Sequence, residues 1–253
     1  MLDEDGHLSE LTSDEIDKWM ALLRDKYGRR ISGLQDSVLG QCRKGTSLPK
    51  FRPVGRHRFV QILNVNDHWV CVTSLFGETT HDVYVYDSLF TGLNHSLIVQ
   101  VSSLLRADTS KDEVIFHIRS FKQQKRGTRT CGFYAAAAAV DCCMKADPTG
   151  HIYEESMLSR QFKSSLTSGK PAKFLTKGIV KGTEEIRKTV KRHCVCHGQS
   201  KGQMIQCSKC FSWFHAVCVG LRAMDIRKMG KVIWACPCCN HKEPESVDTV
   251  LLD

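Results

Sequence analysis

The feature that most constrains the fold is a run of regularly spaced cysteine and histidine residues near the carboxyl end. The chain has 253 residues and 13 cysteines, and 8 of these cysteines lie between Cys194 and Cys239. Their spacing, with one histidine, is C-x-C-x10-C-x2-C-x4-H-x2-C-x17-C-x2-C. Zn²⁺ takes four thiolate or imidazole ligands, and a C-x2-C turn presents two thiolates to one ion. Eight such ligands in one short segment therefore predict two zinc sites.

Bound metal is also expected to supply much of the folding free energy of this segment, because so short a stretch cannot bury a sufficient apolar core. A secreted disulfide scaffold is the other general interpretation of a cysteine-rich chain. The sequence starts Met1-Leu2-Asp3-Glu4-Asp5, and this acidic start fits neither a secretory signal nor a transit peptide. We therefore favour zinc binding in a reducing compartment.

Charge and hydropathy limit the classes of partner. No apolar run approaches the ~20 residues that a membrane span needs, so we expect no membrane partner. The formal net charge is +9, and thiolate ligands would lower it when zinc is bound. Basic runs at 122–129 and 188–193 are interpreted either as nuclear-import or nucleic-acid patches or as solvated loop and linker. We expect weak or no binding of nucleic acid.

The segment 193–240 resembles a PHD finger, a known zinc-binding module. The resemblance rests on the ligand spacing and on the runs Trp213-Phe214-His215 and Cys218-Val219-Gly220. Cys238 lies between the last two ligands, and His193 and His197 flank the first pair, so these three remain alternative ligands. The resemblance implies cross-braced ligation of two zinc ions, one by Cys194, Cys196, His215 and Cys218, the other by Cys207, Cys210, Cys236 and Cys239.

A PHD finger implies a histone-tail partner. Many members of the family grip methylated lysine in an aromatic cage, in which the ammonium is attracted to the ring quadrupole. Trp213 and Met204 stand where the family places cage walls. However, no aromatic residue lies between Cys196 and Cys207, and Ser208 stands where several readers carry an acidic residue. Methyl-lysine binding and simple packing of Trp213 against the zinc core both remain open.

The first two thirds of the chain mix helical and strand patterns. Apolar residues at helical spacing predict an amphipathic helix over 12–27, with Thr12 and Glu15 as a capping box. An alanine-rich segment predicts a buried helix over 132–145. An α+β domain is expected, because β-branched and aromatic runs between turn residues predict strands at 59–63, 68–75, 83–86 and 114–118.

A nucleophilic cysteine is suggested at the start of the alanine-rich helix. Cys131 stands there, where the positive end of the helix dipole favours a thiolate. Such a thiol needs a base and a group that orients the base. His68 opens one strand and Asp87 closes another, and strand ends can converge on a helix N-terminus. His81 and Asp82 form a rival base and acid.

Four motifs in order resemble the ubiquitin-like-protein protease family. They are Asp67-His68-Trp69-Val70, Tyr86-Asp87-Ser88-Leu89, the pair Gln123-Gln124, and Cys131-Gly132-Phe133-Tyr134-Ala135. The family consists of papain-like cysteine proteases that process or remove SUMO, NEDD8 and related modifiers, and the resemblance covers residues 12–178. It implies that Cys131 is the nucleophile, His68 the general base and Asp87 the group that orients His68.

The resemblance also implies an oxyanion donor and a substrate slot. Gln124 would donate to the tetrahedral oxyanion, and Trp69 would help to form a narrow slot over the substrate's Gly-Gly tail. The sequence departs from the family in the loop before the nucleophile, where Thr130 replaces an aspartate and one extra residue precedes Cys131. Gln123 is the alternative oxyanion donor.

The expected function is that of a cysteine peptidase or isopeptidase that cleaves after the C-terminal Gly-Gly of a SUMO- or NEDD8-class modifier. The PHD finger would couple this activity to histone tails, with zinc only in the finger and no cofactor for catalysis. We expect nuclear residence, with the cytoplasm as the alternative. The expected organisation is a papain-like protease domain at 1–178, a basic linker with a short helix at 179–192, a PHD finger at 193–242 and a tail at 243–253.

Two other functions remain open. The altered loop before Cys131 would suit an inactive adaptor that binds ubiquitin-like modifiers and histone tails, whereas the intact His, Asp and Cys set argues for activity. Related bacterial effectors load an acyl group onto the same cysteine and act as acetyltransferases. That reaction requires a coenzyme-binding patch, for which the sequence gives no sign.

Overall fold

The described residues of the computed structural model fall into two compact units, which divide between Arg192 and His193. Within the described ranges, no helix is both long and apolar enough to cross a membrane. The structure describes residues 10–40, 51–89, 92–108, 110–119, 121, 123–125, 127–181, 184–194, 202–208, 213–229 and 233–236.

The first unit places its helices around a six-stranded sheet. Its helices are α1 (Ser13–Tyr27), α2 (His95–Leu105), α3 (Cys131–Cys143) and α4 (Glu155–Ser168). Its strands are β1 (Ser32–Gly33), β2 (Phe59–Asn64), β3 (Trp69–Thr73), β4 (Asp82–Tyr86), β5 (Glu113–Arg119), β6 (His151–Tyr153), β7 (Thr176–Ile179) and β8 (Glu185–Lys191).

The strand order in the main sheet is β1-β2-β3-β4-β5-β8. Neighbouring strands run antiparallel, except that β1 is parallel to β2 and β4 is parallel to β5. The two remaining strands, β6 and β7, form a separate antiparallel pair. The parallel pair β4 and β5 matters for the site, because the carboxyl ends of parallel strands lie at the same edge of a sheet.

Apolar side chains on both faces of the sheet explain the two layers of helices. Along β3, Trp69 and Cys71 belong to a core shared with α1, α3 and α4, whereas Val70 and Val72 belong to a core shared with α2. Successive residues of a strand point to opposite faces of the sheet. A strand that is apolar throughout is therefore buried from both sides.

Helix α1 has the N-terminal structure that the sequence predicts. The Thr12 hydroxyl accepts from the Glu15 backbone N–H at 3.3 Å, and the Glu15 carboxylate accepts from the Thr12 N–H at 2.9 Å. These two reciprocal bonds form a capping box. The apolar face of the helix, which comprises Ile16, Trp19, Met20 and Leu23, is buried.

Helix α3 lies at the centre of the first unit, and all of its residues are buried. Its alanines allow neighbouring elements to approach its backbone, as where the Trp19 indole N–H donates to the Ala136 carbonyl at 3.2 Å. Gly132 is the tightest point, since a Cβ there would lie 2.9 Å from Cβ of Leu11 and 3.2 Å from Cδ1 of Trp69. The small side chains thus place the start of the helix against the sheet.

Residues 185–191 differ from the sequence-based expectation of a linker with a short helix. They form strand β8, which pairs antiparallel with all seven residues of β5. Val190 joins the core on the α2 side of the sheet, while the charged residues of the strand are exposed. The segment lies at the edge of the sheet, and exposed basic side chains are typical of an edge strand.

Arg192 anchors the end of β8. Its side chain is buried and donates to the backbone carbonyls of Leu105 at 3.1 Å, Asp108 at 2.8 Å and Lys111. It also donates to Nε2 of His81 at 2.8 Å. Residues 188–192 of the basic run therefore belong to the fold of the first unit, as the end of β8 and its anchor.

The second unit has few regular elements. Strands β9 (Met204–Gln206) and β10 (Trp213–His215) form an antiparallel pair, followed by a 3-10 turn (Ala216–Val219) and helix α5 (Ala223–Met229). Its buried apolar cluster centres on Cys207, Phe214 and Cys236. A core this small fits a module that is stabilised by metal. The expected tail at 243–253 lies outside the described residues.

Candidate active site and zinc ligands

A tight hairpin places His68 at the edge of the sheet. Strands β2 and β3 are joined by a turn in which the Val65 N–H donates to the His68 carbonyl at 2.7 Å. The two central residues, Asn66 and Asp67, have φ of 55° and 60°. Asn and Asp tolerate this left-handed conformation better than other side chains, and such turns match the twist of a hairpin. His68 therefore directly precedes β3.

His68, Asp87 and Cys131 form one chain of contacts. Asp87 follows β4, is buried, and places Oδ1 2.6 Å from Nε2 of His68. The same carboxylate oxygen accepts from the Leu89 N–H at 2.9 Å, which fixes its orientation. The Cys131 thiol, at the start of α3, lies close enough to the His68 ring to raise the pKa of His68. The three residues singled out from the sequence thus lie together.

The electrostatics of this chain of contacts set the charge of His68. Burial lowers the pKa of His68, but hydrogen-bonding and charge interactions with Asp87 and Cys131 outweigh burial and raise this pKa to about 9. His68 is therefore an imidazolium at neutral pH. In this form it can stabilise a thiolate on Cys131 and protonate a leaving amine.

The titration of His68 gives a direct test of this electrostatic arrangement. In the full-length protein the ring is expected to titrate near pH 9. Asp87→Asn removes one of the negative charges that raise this pKa, so the titration should move to lower pH. NMR of the imidazole carbon-bound protons measures both values. An unshifted histidine titrates near 6.5, and such a value in both proteins would contradict the arrangement.

The free energy of unfolding should depend on the protonation of His68. Because the pKa of His68 is raised in the folded state, the stabilisation that protonated His68 contributes is fully present below its pKa of ~6.5 in the unfolded chain. It is lost as the pH rises through about 9. The difference in unfolding free energy between the wild type and His68→Gln, measured in denaturant, is therefore expected to shrink from pH 6 to pH 10. A constant difference would contradict the titration.

Gln124 lies between two polar groups near this chain of contacts. Its side-chain carbonyl accepts from the Ser88 hydroxyl at 2.9 Å, and its amide nitrogen donates to the Thr128 carbonyl at 2.5 Å. Ser88 is the neighbour of Asp87, and Thr128 belongs to the loop that leads to Cys131. The candidate oxyanion donor is therefore bonded to the segments that flank both the acid and the nucleophile.

Gln123, the alternative donor, is turned toward β6. Its side-chain carbonyl accepts from the Tyr153 N–H at 2.8 Å. Its amide nitrogen is buried and has no hydrogen-bond partner among the described residues. By its contacts, Gln123 braces the loop against β6, whereas Gln124 faces the segments that carry the catalytic candidates.

The start of α3 leaves its first N–H groups without a side-chain cap. Thr130 occupies the N-cap position but makes no side-chain capping bond. Its carbonyl accepts from the N–H groups of Phe133 and Tyr134 at 3.1 and 3.3 Å. Uncapped N–H groups in the first turn attract negative charge. They would favour both a thiolate on Cys131 and an oxyanion beside it.

Trp69 is buried and contacts Leu11, which was not predicted from the sequence to belong to the site. The indole N–H donates to the Leu11 carbonyl at 3.1 Å, and Leu11 packs against Gly132 next to the nucleophile. Leu11 precedes the N-cap Thr12 and shares a core with Ile16 in the first turns of α1. This is the spacing of a hydrophobic staple, and it is the signal that identifies Leu11.

The rival pair His81 and Asp82 has structural contacts instead. His81 is buried between Arg192 and Asp108, and burial together with the Arg192 charge lowers its pKa. Asp82 accepts from the N–H and hydroxyl of Thr79 at 2.8 and 2.7 Å. No described contact joins either residue to Cys131.

The second unit brings together part of the predicted zinc ligands. The ligand atoms of Cys194, His215 and Cys218 all lie within 4.8 Å of one another. Two thiolates and one imidazole are donors that suit tetrahedral zinc. Cys196, the fourth residue of this set, lies outside the described residues, as do the alternative ligands His197 and Cys238.

The other ligand set is described in part. The backbone N–H of Cys236 donates to Sγ of Cys207 at 3.3 Å, so these two distant positions in the sequence meet. Cys210 and Cys239 lie outside the described residues. The interleaving of the two sets along the chain fits the cross-braced arrangement, while the count of two ions stays a prediction.

The two candidate tail-binding residues share one face of the β9–β10 ribbon. Trp213 pairs with Gln206 and His215 pairs with Met204, so Trp213 and Met204 are diagonal neighbours. The Trp213 side chain is 46% exposed, and Met204 is half-buried. An exposed tryptophan and a neighbouring methionine offer an accessible apolar surface next to His215, a predicted zinc ligand.

Comparison with known proteins identifies the finger and gives one weakly similar structure. The family model for the PHD finger matches residues 194–239. A solved structure with a similar fold is titled "SUMO protease Ulp1 with the catalytic cysteine oxidized to a sulfinic acid". That match has a TM-score of 0.44 and 16% sequence identity, and covers 63% of this chain and 78% of that chain. An α+β unit followed by a PHD-type zinc finger, the arrangement predicted from the sequence, is confirmed.

Proposed function

We propose that the first unit is a cysteine peptidase or isopeptidase that cleaves after the C-terminal Gly-Gly of a ubiquitin-like modifier of the SUMO or NEDD8 class. The observation that carries this proposal is the chain of contacts from Asp87 through His68 to Cys131, with Nε2 of His68 2.6 Å from Asp87. A thiol, a charged imidazole and a buried carboxylate in contact constitute the machinery of acyl transfer.

In this mechanism the Cys131 thiolate attacks the carbonyl carbon of the terminal glycine. Negative charge develops on the carbonyl oxygen, and the first-turn N–H groups of α3 and the side-chain amide of Gln124 stabilise it. His68 donates its proton to the leaving amine, which leaves a thioester on Cys131. The neutral ring then takes a proton from water, which hydrolyses the thioester and frees the modifier. Asp87 holds the ring in place throughout.

Gly132, the residue after the proposed nucleophile, packs closely against Leu11 and Trp69. Leu11 and Trp69 lie so close to this residue that even a methyl group there would meet them. The role proposed for Trp69, binding of the Gly-Gly tail, rests on the resemblance of the motif Asp67-His68-Trp69-Val70 and on the position of Trp69 directly after His68.

The proposal is tested by hydrolysis of fluorogenic C-terminal amides of ubiquitin, SUMO and NEDD8 by the full-length protein. We expect turnover of at least one modifier, and no turnover of a free Leu-Arg-Gly-Gly amide at the same concentration, because a modifier also binds through its folded surface. Failure to cleave any modifier amide, by protein whose Cys131 is reduced, would reject the peptidase.

An inactive adaptor is the second candidate. The observation that favours it is the bond from the Gln124 amide to the Thr128 carbonyl, which occupies one of the two amide hydrogens. The same panel separates the two candidates. An adaptor would bind a modifier in a pull-down without cleaving its C-terminal amide.

We further propose that the second unit binds a histone tail through the face that carries Met204 and Trp213, and that the protein acts in the nucleus. The exposure of Trp213 supports this role. A methylammonium group over an accessible indole is attracted to the ring, whereas an unmodified tail would add to the edge of the ribbon.

Loss of Trp213 should weaken binding of the tail. Trp213→Ala is expected to raise the Kd of the best histone-tail peptide by about tenfold, since a cation–π contact contributes roughly 0.5–2 kcal/mol. Isothermal titration calorimetry with unmodified and methylated peptides measures this change. Val217→Ala is the matched control, because Val217 is also exposed but lies outside the ribbon. Equal affinities of the wild type and Trp213→Ala would contradict the role of this face.

A further inference from the structure

Ser88 follows β4 closely and contacts the loop after β5 that carries Gln123 and Gln124. It directly follows Asp87 and is 1% exposed. Because β4 and β5 are parallel neighbours, the segments that leave their carboxyl ends emerge at the same edge of the sheet. The topology therefore brings Ser88 beside Gln123 and Gln124, although they are far apart in the sequence.

Ser88 holds this loop by three hydrogen bonds. Its backbone carbonyl accepts from the N–H groups of Gln123 at 2.9 Å and Gln124 at 3.1 Å. Its hydroxyl donates to the side-chain carbonyl of Gln124 at 2.9 Å. The backbone bonds fix where the loop lies, and the hydroxyl bond fixes how one side chain is oriented.

The Thr128 carbonyl determines which end of the Gln124 amide faces the nucleophile's loop. The Thr128 carbonyl can only accept, so the NH₂ end of Gln124 must point to it, at 2.5 Å. The carbonyl end then requires a donor, which Ser88 supplies. A primary amide has two N–H groups, and one remains for an oxyanion after the bond to Thr128 is made. Without the Ser88 hydroxyl, the buried carbonyl of Gln124 loses its donor and the side chain loses its fixed orientation.

We propose that Ser88 is a positioning residue, which aims the Gln124 amide at the oxyanion and couples the oxyanion donor to the segment that carries the triad acid. The inference rests on the proposed peptidase function, because an aimed donor has a role only where an oxyanion forms. Ser88 itself makes no contact with the reacting atoms.

The test compares Ser88→Ala with the wild type on the modifier amide that the wild type cleaves best. Misplacing a catalytic group slightly can cost up to ~100-fold, and we expect kcat to fall by roughly tenfold with KM nearly unchanged. Alkylation of Cys131 by iodoacetamide passes through no oxyanion, so its rate should not change. Ser165→Ala is the matched control, since Ser165 is a buried serine in α4, and it should keep the wild-type kcat.

A double-mutant cycle with Gln124→Ala separates positioning from a general effect on the fold. If Ser88 acts through Gln124, Ser88→Ala should lower kcat in the wild type but not in Gln124→Ala. Additive losses, or an equal slowing of alkylation, would overturn the inference. Should Ser88→Ala fail to fold, Ser88→Thr and Ser88→Val form a pair of similar shape, and kcat should be higher in the variant that keeps the hydroxyl.

The outcomes distinguish this inference from the proposed function. If the wild type cleaves no modifier amide, the peptidase fails and the inference fails with it. If the wild type cleaves one and Ser88→Ala cleaves it at the same kcat, only the role of Ser88 is overturned.

Discussion

Replacement of Cys131 by alanine is expected to abolish hydrolysis of every modifier amide and conjugate. No other described thiol contacts His68, so removal of the Cys131 sulfur leaves no nucleophile beside the imidazolium. Loss of the nucleophile of a triad costs at least roughly 10⁴-fold in kcat. Steady-state kinetics with the best modifier amide measures the loss, and binding of the modifier, measured by calorimetry, should persist.

Cys143→Ala is the matched control for this variant. Cys143 lies at the other end of the same helix, and both thiols are 4% exposed. Burial raises the pKa of the Cys143 thiol well above its usual value, so it is a poor nucleophile. This variant should retain turnover, and both variants should keep a melting temperature close to that of the wild type. Retained turnover in Cys131→Ala would reject Cys131 as the nucleophile.

Removal of zinc is expected to unfold the second unit and to leave the first unit folded. The described residues of the finger form a small apolar cluster, and structural zinc supplies much of the folding free energy of such modules. The first unit has its own two cores and no described metal-ligating cluster. Hydrogen exchange of the full-length chain with a strong chelator should therefore show lost protection over 202–236 and retained protection over α1 and α3.

His215→Ala provides the same test without a chelator. It removes one ligand from the set with Cys194 and Cys218, so it should lower the zinc content and the protection of the finger. Turnover of modifier amides should stay unchanged, because the triad lies entirely in the first unit. Protein that carries no zinc after gentle purification, with a protected finger, would contradict the metal-dependent fold.

Local sequence signals were sufficient where an element carries its own start and its own burial pattern. Thr12 and Glu15 predict the start of α1, because a capping box is formed by two residues that are three positions apart. The alanine-rich run predicts α3 as a buried helix, because a helix without a polar face must be buried. The central strands were found for the same reason, since their apolar character persists on both faces.

Elements whose stability comes from distant partners were missed. Residues 185–191 resemble a basic linker until they pair with β5, which covers one edge and buries Val190. Helix α2 contains several β-branched residues and serines, which disfavour a helix locally. Its start does carry a signal, since the Asn94 side chain accepts from the Leu97 N–H at 3.0 Å, but the helix depends on packing against the sheet.

The residues of the candidate site also differ in how far the local sequence predicts them. Motifs identify His68, Asp87 and Cys131 because each stands in a recognisable local sequence, and the structure brings the three together. The contacts of Leu11 and Ser88 could not be predicted in this way, because they depend on which strands are neighbours and on how α1 enters the fold. The local signal for Leu11 is its staple spacing with Ile16, and Ser88 lies within the Asp87 motif, but neither signal indicates which residues they contact.

The central claim is that Cys131 is a nucleophile that accepts the C-terminus of a ubiquitin-like modifier. The most direct test is to label the full-length protein with ubiquitin, SUMO and NEDD8 that carry a C-terminal electrophile, with Cys131→Ala and Cys143→Ala in parallel. The account predicts a covalent adduct with at least one modifier, mapped to Cys131 by mass spectrometry, kept in Cys143→Ala and lost in Cys131→Ala. No adduct with any modifier, from folded protein with reduced Cys131, would contradict it, and so would an adduct that survives in Cys131→Ala.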